Sequence, residues 1–175
     1  MSNAVEIIKV EIKDVTILSA LAKQTFYDTF TGTCTPADMQ HFLELYYNEN
    51  VLALELEDKN LHCYFAEVNG QIAGYCLFAE NNNALAILKN KNCLELKRLY
   101  ILTAYQGKKV AQKLMDFFIE TALKKKYDYI FLGVWEYNYK AQNFYKKYGL
   151  LPTDCKHGFP IGNTPQTDIY FIKEM

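Results

Sequence analysis

The sequence predicts a mixed α/β fold in which helices cover a β-sheet. Apolar residues recur at helical spacing in some segments, and short apolar or alternating runs bounded by turn residues occur in others. The chain also has the size of one domain, because 175 residues can bury roughly 70% of their unfolded surface in one core. We find no internal repeat and no linker rich in proline and glycine, so we predict a single domain over residues 5–175.

The N-terminal part is predicted to contain a strand and two helices. Residues 5–12 have the pattern of a strand, and Asp14 is placed to cap a helix that runs to about Phe30. A second helix begins at Thr35 or Pro36 and carries its apolar residues along one side.

A hairpin is predicted for the next part of the chain. Residues 61–68 and 71–79 flank Asn69 and Gly70, a pair that suits the positive φ angles of a type I′ turn. The preceding segment, residues 51–61, is expected to be helical. The hairpin supplies two neighbouring antiparallel strands of the predicted sheet.

Strands and helices alternate in the second half. Residues 94–101 and 129–134 are predicted strands, and a helix is expected between them at about residues 107–126. One face of this helix is charged, and its inward face is predicted to carry Val110, Leu114, Phe117, Phe118 and Ala122.

One more helix and one more strand complete the predicted fold. Asn138 can cap the helix, Gly149 suits the left-handed position beyond its end, and Pro152 keeps the helix from resuming. Residues 167–173 are the last predicted strand. The element order is therefore β-α-α-β-β-β-α-β-α-β, a mixed sheet with helices on its faces. Breaks are expected at residues 31–36, 80–83, 89–92 and 155–166.

Composition narrows the class of function. The 19 basic and 20 acidic residues leave a net charge of −1, which argues against a nucleic-acid partner and favours a small molecule. The five cysteines are odd in number and never form a CxxC pair, which indicates reduced thiols and a cytoplasmic protein. No metal-binding signature occurs, and the N-terminal segment has acidic residues among its apolar ones, so we expect neither a signal peptide nor a membrane span.

The segment QGKKVA, residues 106–111, suggests an anion site. It lies where a predicted strand ends and a helix begins, so unpaired helix N–H groups and the positive end of the helix dipole would face a bound pyrophosphate. Lys108 and Lys109 add positive charge. A plain solvated helix start explains the same residues, and the spacing is not that of a Walker A loop.

Two motifs connect the chain to a known family. QGKKVA resembles the Q/R-x-x-G-x-G/A pyrophosphate loop of the GNAT superfamily of acetyl-CoA-dependent N-acetyltransferases, and NYKAQNFYKKYGL resembles its N-x-x-A-x-x-F-Y-x-K-x-G-F segment. With the element order, the resemblance covers nearly the whole chain. More narrowly, TFYDTF, PADMQHFL, LGVWEYN and a tail of pattern H-x-F-x-x-G-x-x-x-Q-T-D resemble the PaiA-type polyamine N-acetyltransferases.

The sequence departs from the superfamily pattern at two positions. Lys109 stands where the pattern has its first glycine, and a side chain there is expected to crowd the phosphates or to change the backbone angle. Leu150 replaces a phenylalanine, which changes core packing more than chemistry.

The resemblance implies a GNAT fold and a binding site for acetyl-CoA. In that fold the sheet is mixed but mostly antiparallel, helices cover both faces, and the cofactor lies where strands four and five splay apart. The implied cofactor-binding residues are Leu99, Tyr100, Ile101, Gln106, Gly107, Lys108, Lys109, Val110, Ala111, Asn138 and Lys147. Ordinary strand packing explains Leu99 and Ile101 equally well, and Asn138 needs no ligand to be a helix cap.

Tyr145 and Glu95 are the predicted catalytic residues. Tyr145 matches the superfamily tyrosine that protonates the leaving thiolate of CoA, although a core aromatic residue on the same helix face is the alternative. An alkylamine also needs a base, because losing its proton at neutral pH costs roughly 4.6 kcal/mol. Glu95 matches the strand glutamate that serves as this base in some members. A glutamate that faces solvent or pairs with Lys97 is the alternative, and Glu136 is a second candidate carboxylate.

The resemblance implies a polyamine, spermidine or spermine, as the acceptor. Carboxylates and aromatic faces would bind its cations. The residues predicted to do so are Tyr27, Asp28, Phe30, Trp135 and Glu136. A protein lysine, a protein N-terminus, an aminoglycoside, or a CoA-binding sensor without turnover remain alternatives. A homodimer is a further expectation from the family.

Overall fold

Within the described residues, 4–80 and 85–175, a computed structural model of the chain contains a seven-stranded sheet in the order β1-β2-β3-β4-β5-β7-β6. The strands are β1 (Val5–Lys9), β2 (Leu61–Val68), β3 (Gln71–Glu80), β4 (Cys93–Ile101), β5 (Tyr129–Trp135), β6 (Leu151–Gly158) and β7 (Thr167–Glu174). The helices are α1 (Val15–Phe30), α2 (Pro36–Tyr46), α3 (Glu49–Glu57), α4 (Val110–Lys124) and α5 (Tyr139–Lys147). The predicted break at 80–83 lies, from residue 81 onward, outside the described residues.

Strands β4 and β5 are parallel, and the other neighbouring strands pair antiparallel. Their pairing is short: it joins Cys93–Glu95 to Tyr129–Phe131 and then ends. Beyond Glu95 and Phe131 the two strands diverge. The expected mixed sheet, splayed between its fourth and fifth strands, is confirmed.

A β-bulge changes which side chains of β4 face which side of the sheet. Leu96 pairs with Phe78 of β3, whereas Arg98 pairs with the adjacent Leu77, so Lys97 is an extra residue on β4. Side chains alternate with a period of two, and one extra residue therefore reverses the faces. Leu96 packs in the core under α4, while Arg98 points to the other face and donates to Glu55 of α3.

Each face of the sheet has its own core. On one face, Phe118 of α4 and Leu132 of β5 are fully buried in a cluster that also contains Tyr145. On the other, Phe26 of α1 and Leu52 of α3 pack on the strands in a second cluster. Helices on both faces agree with the predicted layering.

The hairpin prediction is confirmed, and the predicted helix at 51–61 is wrong at both ends. Asn69 and Gly70 have φ angles of 51° and 76°, as a type I′ turn requires. Helix α3 ends at Glu57, because Asp58 begins a turn in which its carboxylate accepts a hydrogen bond from Asn60 N (2.9 Å). The chain then enters β2 at Leu61.

The structure corrects two further sequence predictions at the ends of the sheet. Strand β1 ends at Lys9, and Asp14 accepts a hydrogen bond from Glu11 N (2.9 Å) across a short 3-10 turn before α1. No strand was predicted between α5 and the last strand, and residues 155–166 were expected to be a break, so strand β6 (Leu151–Gly158) was missed. It is an exposed edge strand whose register shifts between Pro152 and Lys156, so its sequence lacks regular alternation.

The structure also bears on cysteine state and membrane insertion. All five cysteines are free thiols. In the part of the chain that the structure describes, no helix has the length and apolar character needed to cross a bilayer.

Candidate active site

The divergence of β4 and β5 opens a cleft of about 690 Å³ that runs through the sheet. Helices α1 and α2 line it on one face, and the first turns of α4 and α5 line it on the other. The cleft therefore connects the loop before α4 with the space under α1 and α2. Most of the predicted site residues lie along this path.

The loop before α4 has the backbone of an anion site. Gly107 and Lys109 have positive φ angles of 76° and 65°. Lys109 is the N-cap of α4, and its carbonyl accepts the first helical hydrogen bond, from Lys113 N (3.1 Å). The N–H groups at the start of α4 have no acceptor within the helix, so they are available to an anion. The side chain at position 109 thus leaves the left-handed, glycine-like conformation in place.

A polar contact ties this loop to α5. Lys140 Nζ donates to Gln106 Oε1 (2.7 Å), and both residues line the cleft. Val110 and Ala111 line it as well, whereas Lys108 lies over the ring of Tyr105, 5.2 Å from its centre. Lys140 was not predicted as a site residue.

The end of β4 forms the wall opposite α5. Leu99, Tyr100 and Ile101 all line the cleft. Gly74 of β3 packs directly behind them, since a Cβ atom there would overlap the Tyr100 carbonyl oxygen and Ile101 Cδ1. The position of this wall therefore depends on a glycine in the neighbouring strand.

Helix α5 brings Asn138 and Tyr145 to the cleft. Asn138 Oδ1 accepts a hydrogen bond from Ala141 N (3.1 Å) and caps the helix. Its amide nitrogen is a donor that this bond does not use. Tyr145 is 7% exposed and lines the cleft. Burial raises the pKa of Tyr145 above its ordinary value, and the charge of Asp168 raises it further, so the phenol holds its proton.

Asp168 is a cleft residue that the sequence analysis did not single out. It lies on β7 opposite Trp135 and above Gly133, where a Cβ atom would be 3.2 Å from Asp168 Oδ2. Burial raises the pKa of Asp168 to about 7. The only sequence signal was its place in the Q-T-D tail, because an aspartate in a strand otherwise suggests a solvent-facing side chain.

Aromatic side chains enclose the end of the cleft under α1 and α2. Phe30 packs against Trp135 and Phe159, with ring centres 5.0 and 5.5 Å apart, and Phe26 stacks on Phe42 at 4.8 Å. We call these five residues the aromatic chamber. Its faces are suited to an organic cation.

An ion pair borders the aromatic chamber. Arg98 of β4 donates to both carboxylate oxygens of Glu55 on α3, at 2.5 and 2.9 Å, and lies 5.1 Å from the centre of the Tyr47 ring. Because Glu55 neutralises Arg98, the pair adds little net charge to this end of the cleft.

The structure places several predicted residues away from the cleft. Glu95 is 7% exposed and lies close enough to Tyr170 for its charge to add to the effect of burial in raising that tyrosine's pKa. Tyr27 lines a separate groove of about 420 Å³ between α1 and α2. Asp28 accepts a hydrogen bond from Thr103 Oγ1 (3.2 Å). The remaining residues outside the cleft lining are Lys108, Lys147 and Glu136.

The described residues hold no cluster suited to a metal. Across 4–80 and 85–175, no group of three or more His, Cys, Asp or Glu side chains is arranged to bind an ion.

Several known proteins are similar to this chain in sequence or in fold. An uncharacterised N-acetyltransferase of Lactobacillus delbrueckii subsp. lactis is 34% identical over 173 residues, which cover 99% of each chain. The crystal structure of PaiA N-acetyltransferase from Thermoplasma acidophilum in complex with coenzyme A has a TM-score of 0.79 at 20% identity, over 98% of this chain and 99% of that one. A probable acetyltransferase from Staphylococcus epidermidis has a TM-score of 0.76 at 14% identity, over 98% and 99%.

The family model for acetyltransferases of the GNAT type matches residues 23–150. This range begins in α1 and ends after α5, so it contains β4, the loop before α4 and most of the cleft wall. The chain belongs to the acetyltransferase (GNAT) family.

Proposed function

We propose that this enzyme, an acetyl-CoA-dependent N-acetyltransferase, transfers the acetyl group to a primary amine of an aliphatic polyamine such as spermidine or spermine. The observation that carries the proposal is the continuous cleft. It is lined by the loop before α4, by the edge of β4 beyond its pairing with β5, by Tyr145 and by the aromatic chamber.

The loop half of the cleft suits the cofactor. The first N–H groups of α4 would bind the pyrophosphate of acetyl-CoA. The edge of β4 at residues 99–101, which has no partner in β5, would pair with the amides of the pantetheine arm. Asn138 would donate its amide N–H to the same arm. Lys108 and Lys147, which lie outside the cleft, would contribute only long-range charge.

The chamber half suits the acceptor. Phe30 and Trp135 present ring faces to a cation, and Asp168 adds a carboxylate. The likeness of the fold to a PaiA N-acetyltransferase supports the polyamine class. Tyr27, Asp28 and Glu136 would act on the outer part of a long acceptor, because they lie beyond the cleft lining.

The amine attacks the thioester directly. Backbone N–H groups at the bulge of β4 polarise the thioester carbonyl, and Tyr145 donates a proton to the departing CoA sulfur. Glu95, acting through water, remains a candidate base for the amine. We further propose that the protein works in the cytoplasm, which its five free thiols support. We also propose that the protein forms a homodimer. Its partners would be small molecules rather than nucleic acids or membranes.

Replacing Tyr145 by phenylalanine tests this proposal. CoA-thiol release from acetyl-CoA is measured with spermidine, spermine, a lysine peptide, a peptide with a free N-terminus, an aminoglycoside and no amine. We expect spermidine-dependent release, and at least about a tenfold lower kcat in Tyr145→Phe, a loss of about 1.4 kcal/mol of transition-state stabilisation.

Tyr148, the residue that follows α5, provides the control. Tyr148 hydrogen-bonds Asp116 Oδ1 (3.2 Å) away from the cleft, so Tyr148→Phe should keep the full rate. Faster release with a peptide or an aminoglycoside than with any polyamine would refute the polyamine assignment. An equal loss in both variants would refute the role of Tyr145.

A further inference from the structure

The carboxylate of Asp168 lies in the cleft on the acceptor side, and the steps above assign it no chemistry. Its charge helps to raise the pKa of Tyr145 in α5 and of Tyr100 in β4. The carboxylate therefore lies near residues of both cleft walls. The absence of a side chain at Gly133 leaves the room that the carboxylate occupies. Asp168 therefore lines the same cleft as Tyr145 and pairs in register with Trp135 of the aromatic chamber.

We propose that Asp168 binds the acceptor ammonium and removes its proton, as a catalytic residue of the transfer. The inference rests on the proposed function only in requiring an amine acceptor, and it holds for any amine that the enzyme uses. A partly buried carboxylate that shares a cleft with aromatic rings is the natural partner of an ammonium ion, which supplies the missing countercharge.

The groups around Asp168 do not compete for this role. Arg98, a cation of β4 that also lines the cleft, already donates to both carboxylate oxygens of Glu55. The titratable groups that face Asp168 from the packed elements are Tyr145, Tyr100, Tyr47, Tyr170 and, opposite it in register on β6, His157. The four phenols are neutral near pH 7, because the ordinary pKa of a tyrosine is near 10 and burial raises the pKa of each one further. Burial also raises the pKa of Asp168 to about 7, where a general base is most effective.

The proton balance of the step is complete. The ammonium R–NH3⁺ gives one proton to the Asp168 carboxylate, and the free amine attacks the thioester carbon. The C–S bond breaks as Tyr145 protonates the sulfur. The nitrogen then gives its second proton to the Tyr145 phenolate, and Asp168 releases its proton to solvent. The products are the acetylamide, CoA–SH and one proton.

The test compares kcat/KM for Asp168→Asn and wild type across a range from about pH 7 to about pH 9.5, with the fastest amine found. We expect at least about a hundredfold loss near pH 7. The loss should shrink at higher pH, because an amine with a pKa near 10.4 increasingly arrives without its proton and needs no base. A purely structural role for Asp168 would give a loss that does not depend on pH.

Three further measurements complete the test. Asp154→Asn, an exposed aspartate on the adjacent β6, should match wild type. Calorimetry with acetyl-CoA should show that Asp168→Asn keeps cofactor affinity, and Asp168→Glu should recover part of the rate. A peptide rather than a polyamine as best acceptor would defeat the polyamine proposal and leave Asp168 standing. If Glu95→Gln shows the pH-dependent loss and Asp168→Asn does not, the inference about Asp168 is overturned.

Discussion

Lys109, in the loop before α4, is a residue whose backbone conformation costs stability. Its φ of 65° lies in the left-handed region, which costs a residue with a side chain roughly 1–2 kcal/mol relative to the right-handed one. Glycine adopts this conformation without that cost. The left-handed backbone of the loop at Lys109 therefore lowers the stability of the folded protein.

Replacing Lys109 by glycine should raise the free energy of unfolding by about 1 kcal/mol, because the strain disappears. Urea denaturation measures the change. Lys113→Gly is the matched control: this residue is exposed inside α4, so glycine there should lower stability by about 1 kcal/mol. Destabilisation of similar size in both variants would show that the left-handed conformation of Lys109 is not costly.

The site residues that sequence could predict belong to local motifs. The loop at 106–111, Asn138 and Tyr145 lie where a strand–helix junction or one helix places them, so their motifs also predict their surroundings. Asp168 and Phe159 were missed because they reach the cleft only through the order β5-β7-β6, a long-range pairing that no short motif contains.

At the scale of elements, the bulge in β4 explains why the position of Glu95 could not be predicted from its spacing in the sequence. Glu95 was expected near the reacting groups because it matches the strand glutamate that serves as the base in some family members, and it lies eleven residues before Gln106 of the loop. The extra residue at Lys97 falls between the two, and beyond it the alternation of faces is reversed. Glu95 lies in the paired part of β4, where β5 still covers the edge. The base assignment of Glu95 therefore stays a prediction.

The contact between β3 and β4 yields a prediction at this scale. Gly74→Ala places a methyl group against the Tyr100 carbonyl, so β4 must shift at the segment proposed to pair with pantetheine. We expect a loss of about 1–3 kcal/mol in stability and a weaker affinity for acetyl-CoA, measured by denaturation and by calorimetry.

Gly158→Ala separates this effect from the general effect of alanine in a strand. A Cβ at Gly158 would make only an ordinary contact, 3.9 Å from the Gln166 carbonyl oxygen. This variant should bind acetyl-CoA as wild type does. Unchanged cofactor affinity in Gly74→Ala would mean that the position of β4 does not control binding.

At the scale of the whole molecule, Asp168 links stability to pH. Its pKa is about 7 in the folded protein and near 3.8 otherwise, so between these values the folded state binds more protons than the unfolded state. Stability from this group is therefore complete below about pH 4 and is lost as the pH rises to about 7. The expected loss over this whole range is on the order of 4 kcal/mol, because each pKa unit corresponds to about 1.4 kcal/mol.

Asp168→Asn should remove this pH dependence. Unfolding free energies of wild type and variant at about pH 5 and about pH 8 give the difference directly, and other titrating groups such as Glu80 cancel because both proteins contain them. The variant should gain stability relative to wild type at the higher pH while losing activity. Parallel pH profiles would mean that Asp168 titrates alike in the folded and unfolded chains.

The short pairing of β4 with β5 divides the sheet into two halves that three residue pairs connect. A ligand lying along the free edge of β4 fills the position of a strand and holds the halves together. At a hundredfold excess over its dissociation constant, acetyl-CoA would add about 2.7 kcal/mol to the stability of the fold. A protease that attacks the opened junction would then cut the enzyme without bound acetyl-CoA first. The lifetime of the enzyme would therefore depend on the concentration of its own cosubstrate.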